Sequence, residues 1–277
     1  MKTIRLPSGQ SIPVLGMGTW RMGEAASQRS AEVSALQHGL NLGITLIDTA
    51  EMYGEGGAET VIAEAIEGRR SSAFIVSKVY PHNASRQGAI AACERSLKRL
   101  KTDYLDLYLL HWRGSVPLSE TLEAFQTLKQ MGKVRDYGVS NFDVTDMQKA
   151  TNLPGGDAIA TNQVLYNLMR RGIEWDLLPW CRQNSLPIMA YSPVEQGRLL
   201  THRTLQKIAQ ERGVTPAQVA IAWLLHQENV IVIPKSSSIA HVEENYAALN
   251  LQLTPEDLQA LDTAFPAPNK RVALEML

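Results

Sequence analysis

The sequence predicts an α/β protein, a (β/α)8 TIM barrel whose N-terminal mouth is closed by a β-hairpin. Its 277 residues match one such barrel, a fold that typically takes about 250. Short, continuously apolar runs alternate with segments of helical periodicity, the pattern of a parallel sheet covered by helices. The competing doubly wound sheet announces itself by a Gly-rich phosphate turn after its first strand. Here Gly16-Met17-Gly18-Thr19-Trp20-Arg21 and Gly54-Glu55-Gly56-Gly57 both fail G-x-G-x-x-G, and no P-loop pattern occurs.

In chain order, residues 2–6 and 11–13 read as hairpin strands joined by the turn Pro7-Ser8-Gly9-Gln10. Barrel strands are expected at 14–18, 44–48, 74–78, 105–111, 134–140, 158–163, 187–191 and 230–234, and eight is the number that closes a barrel. Helices fill the intervals. In 87–100, Ile90, Ala91, Cys93, Leu97 and Leu100 share one face, with Arg95, Lys98 and Arg99 opposite. Thr215-Pro216 reads as an N-cap followed by a first-turn proline. No linker-like break, internal repeat or low-complexity tract divides the chain, so 1–277 is expected to form one domain.

Hydrophobic residues make up 44% and charged residues 20%, the balance of a soluble globular protein. Lys plus Arg (27) nearly equals Asp plus Glu (28), which leaves no electrostatic case for a nucleic-acid partner. No apolar run approaches the roughly 20 residues of a membrane span, and the N-terminus lacks a secretory h-region. A cytoplasmic monomer is therefore expected, with Cys93 and Cys181 as buried reduced thiols. His38, His82, His202 and His226 show no metal-ligand spacing, and no metal is expected.

The chemistry gathers at strand ends. Three apolar runs end abruptly in ionisable residues, Asp48, Lys78 and His111, and Tyr53 follows the first of them. Barrel active sites form at the C-terminal ends of the strands, so these residues can face one point. A tyrosine is a sluggish acid at neutral pH; an adjacent ammonium stabilises its phenolate and is expected to lower its pKa. Asp48 would keep Lys78 charged, and His111 would orient a substrate carbonyl by a hydrogen bond. Singly, each residue has a plain structural reading as a core ion pair, a strand-end histidine or a packing tyrosine. Their coincidence on consecutive strands favours a proton-donating site.

The motifs Gly43-x-x-x-Ile47-Asp48-Thr49-Ala50-x-x-Tyr53-Gly54, Ser96-Leu97-x-x-Leu100-x-x-Asp103-Tyr104-Leu105-Asp106-Leu107-Tyr108-Leu109-Leu110-His111-Trp112, Gly138-Val139-Ser140-Asn141-Phe142 and Ile233-Pro234-Lys235-Ser236 resemble those of the aldo-keto reductases. The resemblance runs from Gly16 to Asn245. It implies NADPH-dependent reduction of aldehydes and ketones, with Tyr53 as general acid assisted by Lys78, Asp48 and His111, and no metal. A cofactor-binding regulatory subunit with vestigial activity is the alternative.

By the same resemblance, Gly18, Thr19, Trp20 and Asp48 border the cofactor. Ser140, Asn141 and Gln163 hold the nicotinamide carboxamide, Tyr191 stacks on the ring, and Ser192 approaches the pyrophosphate. Residues 197–200, with Gly197 and Leu199, cross that linkage. Lys235, Ser236, Ser237 and Ser238 receive the 2′-phosphate, and Glu244 and Asn245 meet the adenine. His241 stands where the family often has arginine, a weaker anchor that leaves NADH open beside NADPH. Trp20, Tyr80 and Trp112, with Tyr53 and His111 at the base, wall a pocket suited to a small apolar or aromatic aldehyde. Arg113, at a position where the family often has proline, is expected on the rim. The short tail after Phe265 is expected to leave the pocket open.

Overall fold

A computed structural model describes residues 1–277. A hairpin of β1 (Thr3–Arg5) and β2 (Ser11–Pro13) precedes the barrel strands β3 (Gly16–Gly18), β4 (Leu46–Asp48), β5 (Phe74–Val79), β6 (Leu105–Leu110), β7 (Val134–Ser140), β8 (Ile159–Leu165), β9 (Ile188–Tyr191) and β10 (Val230–Val232). Helices α1 (Arg29–Leu42), α2 (Gly57–Ala65), α3 (Arg86–Leu100), α4 (Leu118–Gln130), α5 (Val144–Thr151) and α6 (Leu177–Gln183) follow successive strands. Two helices, α7 (Arg203–Arg212) and α8 (Pro216–His226), lie between β9 and β10, and α9 (Ile239–Ala247) and α10 (Pro255–Ala264) come last.

The eight strands pair in parallel and in chain order. The ring closes through parallel bridges of Leu15 with Val232 and Gly18 with Lys235, and the Gly18 N–H donates to the Pro234 carbonyl at 2.9 Å. Gly18 permits this approach, since a Cβ there would stand 3.0 Å from the Ile233 oxygen. All eight expected strands are present. The last stops at Val232 rather than at Pro234, where proline cannot donate to a ladder.

Side-chain parity separates two cores. Leu46, Phe74, Val76, Leu107, Leu109, Met189 and Ile231 fill the barrel interior, while the larger core lies between strands and helices. Leu6 and Ile12 from the hairpin join the interior set, and the Ser8 hydroxyl donates to Asp136 at 2.6 Å. The hairpin thus plugs the N-terminal mouth, as expected.

Parity also aims the site. Asp48, Lys78 and Tyr191 share their strands' inward register with Leu46, Val76 and Met189, and His111 continues that of Leu107 and Leu109. Gln163 would point outward if the register of Ala160 persisted. Tyr137 pairs with Ile159 but Val139 with Asn162, so β8 carries an extra residue, a bulge that turns Gln163 inward.

Local signals held elsewhere. Thr215 forms a capping box with Gln218 ahead of Pro216, and α3 starts from Ser85, whose hydroxyl accepts from Gly88 N–H. Cys93 and Cys181 are buried and unpaired. No helix is long and apolar enough to cross a membrane.

Candidate active site

The Lys78 side chain is wholly buried, and its ammonium has a partner for each of its protons. Nζ lies 2.8 Å from Asp48 Oδ2, 2.8 Å from the Thr49 carbonyl and 3.3 Å from Tyr53 Oη. The other Asp48 oxygen accepts from Gln163 Nε2 at 2.7 Å. A lysine this deep remains compatible with the fold because its charge is paired and every donor is used. The Tyr53 ring meets His111 edge-on, with centroids 5.7 Å apart. The strand ends therefore bring the four expected residues together.

Burial pushes the Tyr53 phenol well above its usual pKa, and the Asp48 carboxylate adds to the rise. The expected lowering by Lys78 is not found. Asp48 bonds the ammonium directly, so the pair presents little net charge and desolvation of a phenolate decides the balance. Tyr53 consequently keeps its proton through the neutral range and releases it only to a stronger base, such as a forming alkoxide. Burial likewise lowers the Lys78 ammonium's pKa, against the opposing pull of Asp48.

For His111, burial, reinforced by Lys78, drives the imidazole pKa down to about 2. The ring is neutral and acts as a hydrogen-bonding group rather than a cation. Stability follows with a definite sign. The unfolded chain takes up this proton below its ordinary pKa of about 6.5 and the folded chain does not, so the stability present above that pH erodes as pH falls towards about 2. The slope from this one group approaches about 1.4 kcal/mol per pH unit. Melting curves between neutral and mildly acidic pH should fall more gently for His111→Asn than for wild type. Parallel slopes would contradict the assignment.

Tyr53 is carried by a 3-10 turn, Tyr53–Gly56, whose Gly54, Glu55 and Gly56 all have left-handed φ. Gly23 packs against the following residue, and a Cβ there would fall 2.2 Å from the Gly57 carbonyl carbon. With φ +74 as well, Gly23→Ala is expected to destabilise by about 1–3 kcal/mol and to weaken turnover through Tyr53. Thermal denaturation read beside kcat checks both; an unchanged melting temperature would contradict the packing argument.

A cavity of about 510 Å³ opens above these groups. Asp48, Tyr53, His111, Trp20 and Trp112 are among its lining residues, as are Ser140, Asn141, Gln163, Tyr191, Ser192, Gly197, Lys235, Gly18 and Thr19. Tyr191 Oη donates to Asn141 Oδ1 at 3.0 Å, Asn141 Nδ2 donates to the His111 carbonyl at 3.0 Å, and the Ser140 hydroxyl donates to the Gln163 carbonyl at 2.8 Å. Asn141 and Ser192 hold left-handed backbone, at φ 59 and φ 51, strain of the kind that gathers at functional sites.

The model of the Aldo/keto reductase family matches residues 14–265. This chain belongs to the aldo/keto reductase family. It is 53% identical to "Methylglyoxal reductase YeaE" of Escherichia coli (strain K12), over 100% of this chain and 99% of the relative. "Glyoxal reductase" of Bacillus subtilis (strain 168) is 33% identical, over 94% and 91%. A crystal structure of an aldo/keto reductase from Klebsiella pneumoniae in complex with NADP and acetate superposes with a TM-score of 0.97 at 50% identity, covering 100% of this chain and 99% of that one.

In this aldo/keto reductase some residues assigned by resemblance stand off the cavity. Tyr80 is outside the cavity lining; its ring meets Trp112 edge-on, centroids 5.8 Å apart, and lies against His82. Leu199 is fully buried in the outer core and offers no surface. Ser236, Ser237, Ser238, His241, Glu244 and Asn245 lie beyond the cavity, where Ser236 Oγ accepts from Ser238 N–H at 3.0 Å and His241 is exposed. Arg113 is also outside the lining, 3.8 Å from Asp146. Conversely, Arg21, Met52, Val194, Gln196, Met276 and Leu277 line the cavity unforeseen. Arg21 stacks on Trp20 at 4.4 Å, a pairing that adjacency alone could have suggested. The tail, expected to leave the pocket open, instead contributes its last two residues to the wall.

Proposed function

We propose that this reductase converts small aldehydes and ketones, with 2-oxoaldehydes such as methylglyoxal foremost, to alcohols at the expense of NADPH. It is an NAD(P)H-dependent oxidoreductase, and NADP(H) is its cofactor. Its relatives include methylglyoxal and glyoxal reductases, and two similar aldo/keto reductase structures from Klebsiella pneumoniae carry NADP or NADPH. The observation that carries the residue assignment is the buried Asp48–Lys78 pair, 2.8 Å apart, with Tyr53 Oη 3.3 Å from Nζ at the cavity floor.

The residues present fit a nicotinamide dinucleotide. Gln163 commits its N–H donors to Asp48 and Met189, which leaves its oxygen to accept from a carboxamide. Tyr191 offers a flat wall. Lys235 borders the cavity and is exposed, a cation suited to a phosphate. When bound, the reduced nicotinamide supplies the hydride. Tyr53 and His111 would hold the carbonyl oxygen between them by hydrogen bonds. As that oxygen becomes an alkoxide, Tyr53 Oη gives it a proton, completing the alcohol. Lys78 Nζ then donates its hydrogen bond to the new phenolate, Asp48 keeps Lys78 protonated, and solvent returns the proton. Trp20 and Trp112 supply the aromatic wall beside the reacting oxygen.

The test is titration with NADPH and then NADH, followed by tryptophan fluorescence, and addition of methylglyoxal, glyoxal and aromatic aldehydes while reduced nicotinamide is monitored. NADPH binding with aldehyde-dependent oxidation is expected, methylglyoxal among the better substrates. Failure to bind either nucleotide, or binding without turnover on every carbonyl tried, would overturn the reading.

A further inference from the structure

One guanidinium outside the cavity holds two of its walls. Asn167 and Arg170 stand at the two ends of a turn just beyond β8, closed by Arg170 N–H donating to the Asn167 carbonyl at 2.9 Å. Asn167 Nδ2 reaches the Ser192 carbonyl and Glu195 Oε2, each at 2.8 Å. Arg170 meets Glu195 Oε1 through Nε at 3.1 Å and Nη2 at 3.0 Å. The Glu195 side chain has no exposed surface, and its segment is a run of left-handed backbone at Ser192, Glu195, Gln196 and Gly197. Such a run persists only where its surroundings over-determine it, and the buried carboxylate with its three partners (Asn167, Arg170, Arg198) does so. Ser192, Gln196 and Gly197 line the cavity.

The remaining arm of the same guanidinium points the other way. Arg170 Nη1 lies 2.5 Å from Glu275 Oε1, immediately before Met276 and Leu277, which also line the cavity. Leu277 N–H donates to Tyr191 Oη at 3.4 Å. Apart from Leu274, which packs on the outer core, this strap is otherwise thinly held. Val272 and Ala273 are exposed, a hollow of about 360 Å³ lies beneath residues 271–275, and Arg271–Asp176 at 2.9 Å is its other close ion pair.

We propose that Arg170 is a positioning residue that ties the 192–197 segment on the cofactor side to the 275–277 strap on the substrate side. Cofactor retention and carbonyl affinity are then set through one side chain. The inference rests on the reductase reading above for which wall meets which ligand.

The two arms can be cut separately. Glu275→Gln releases only the strap, and the KM for methylglyoxal and for an aromatic aldehyde should shift about threefold, the scale of a part-exposed ion pair, with a smaller change in the NADPH Kd transmitted through Tyr191. Arg170→Met releases both walls and leaves the buried Glu195 short of a partner, so KM and the NADPH Kd should both rise, by about tenfold. Arg170→Lys, which reaches one carboxylate at a time, should fall between them and serves if the methionine variant does not fold. Variants that lower the melting temperature but leave KM and Kd unmoved would overturn the proposal and reduce Arg170 to a structural residue. Wild-type protein that binds no nucleotide would instead overturn the functional reading, and this inference with it.

Discussion

Tyr53→Phe should lower kcat by about 10²–10⁴-fold, the range expected for losing a positioned general acid, while the NADPH Kd is unchanged. The substitution removes one oxygen and little else. The ring can keep its edge-on contact with His111 and its place 4.9 Å from Lys78 Nζ. Lys78 keeps Asp48 and the Thr49 carbonyl as partners. Any loss of rate therefore reports the proton and not the packing. Steady-state kinetics with methylglyoxal, fluorescence titration with NADPH and a melting curve on one preparation separate the three. Wild-type turnover in this variant would remove Tyr53 from the mechanism.

Lys78→Met should abolish turnover and also destabilise the protein, by about 3–5 kcal/mol, because it strands the Asp48 carboxylate inside the barrel. After that change only Gln163 would still donate to Asp48 through a side chain, and the carboxylate is almost wholly buried. The double variant Lys78→Met, Asp48→Asn removes the uncompensated charge and should recover a large part of the stability without recovering activity. Replacing a buried pair by neutral groups is commonly far milder than breaking it. Denaturant unfolding of wild type, single and double variants checks this. A single variant as stable as wild type would contradict the stabilising role given to the buried pair.

Much of this site could be read from the sequence because strand parity and strand ends are local properties. An apolar run ending in Asp48, Lys78 or His111 reveals both the strand and the direction of its last side chain. The direction of the Tyr53 shift was not legible in the same way. It depends on how completely the phenol leaves water and on Asp48 cancelling Lys78, and both are products of the finished barrel. Nor was the bulge in β8, since Ala160-Thr161-Asn162 holds no glycine or proline to mark it, although it is what turns Gln163 towards Asp48. The resemblance placed Tyr80 on the pocket wall, but its ring turns to Trp112 and His82. The strap was hidden for another reason. Its contact with Arg170 spans 105 residues and uses ordinary charged side chains that carry no local pattern. The tail's shortness suggested an open pocket, whereas its last two residues line the cavity.

The central claim is that Tyr53 and His111 together receive the carbonyl oxygen, beside the buried Asp48–Lys78 pair. A crystal structure of the protein with NADP+ and a carbonyl-containing inhibitor tests it most directly. The account predicts the inhibitor oxygen within about 2.6–3.2 Å of both Tyr53 Oη and a His111 ring nitrogen, with the nicotinamide against Tyr191. An oxygen bound instead at Arg21 or the strap, out of reach of Tyr53, would contradict it.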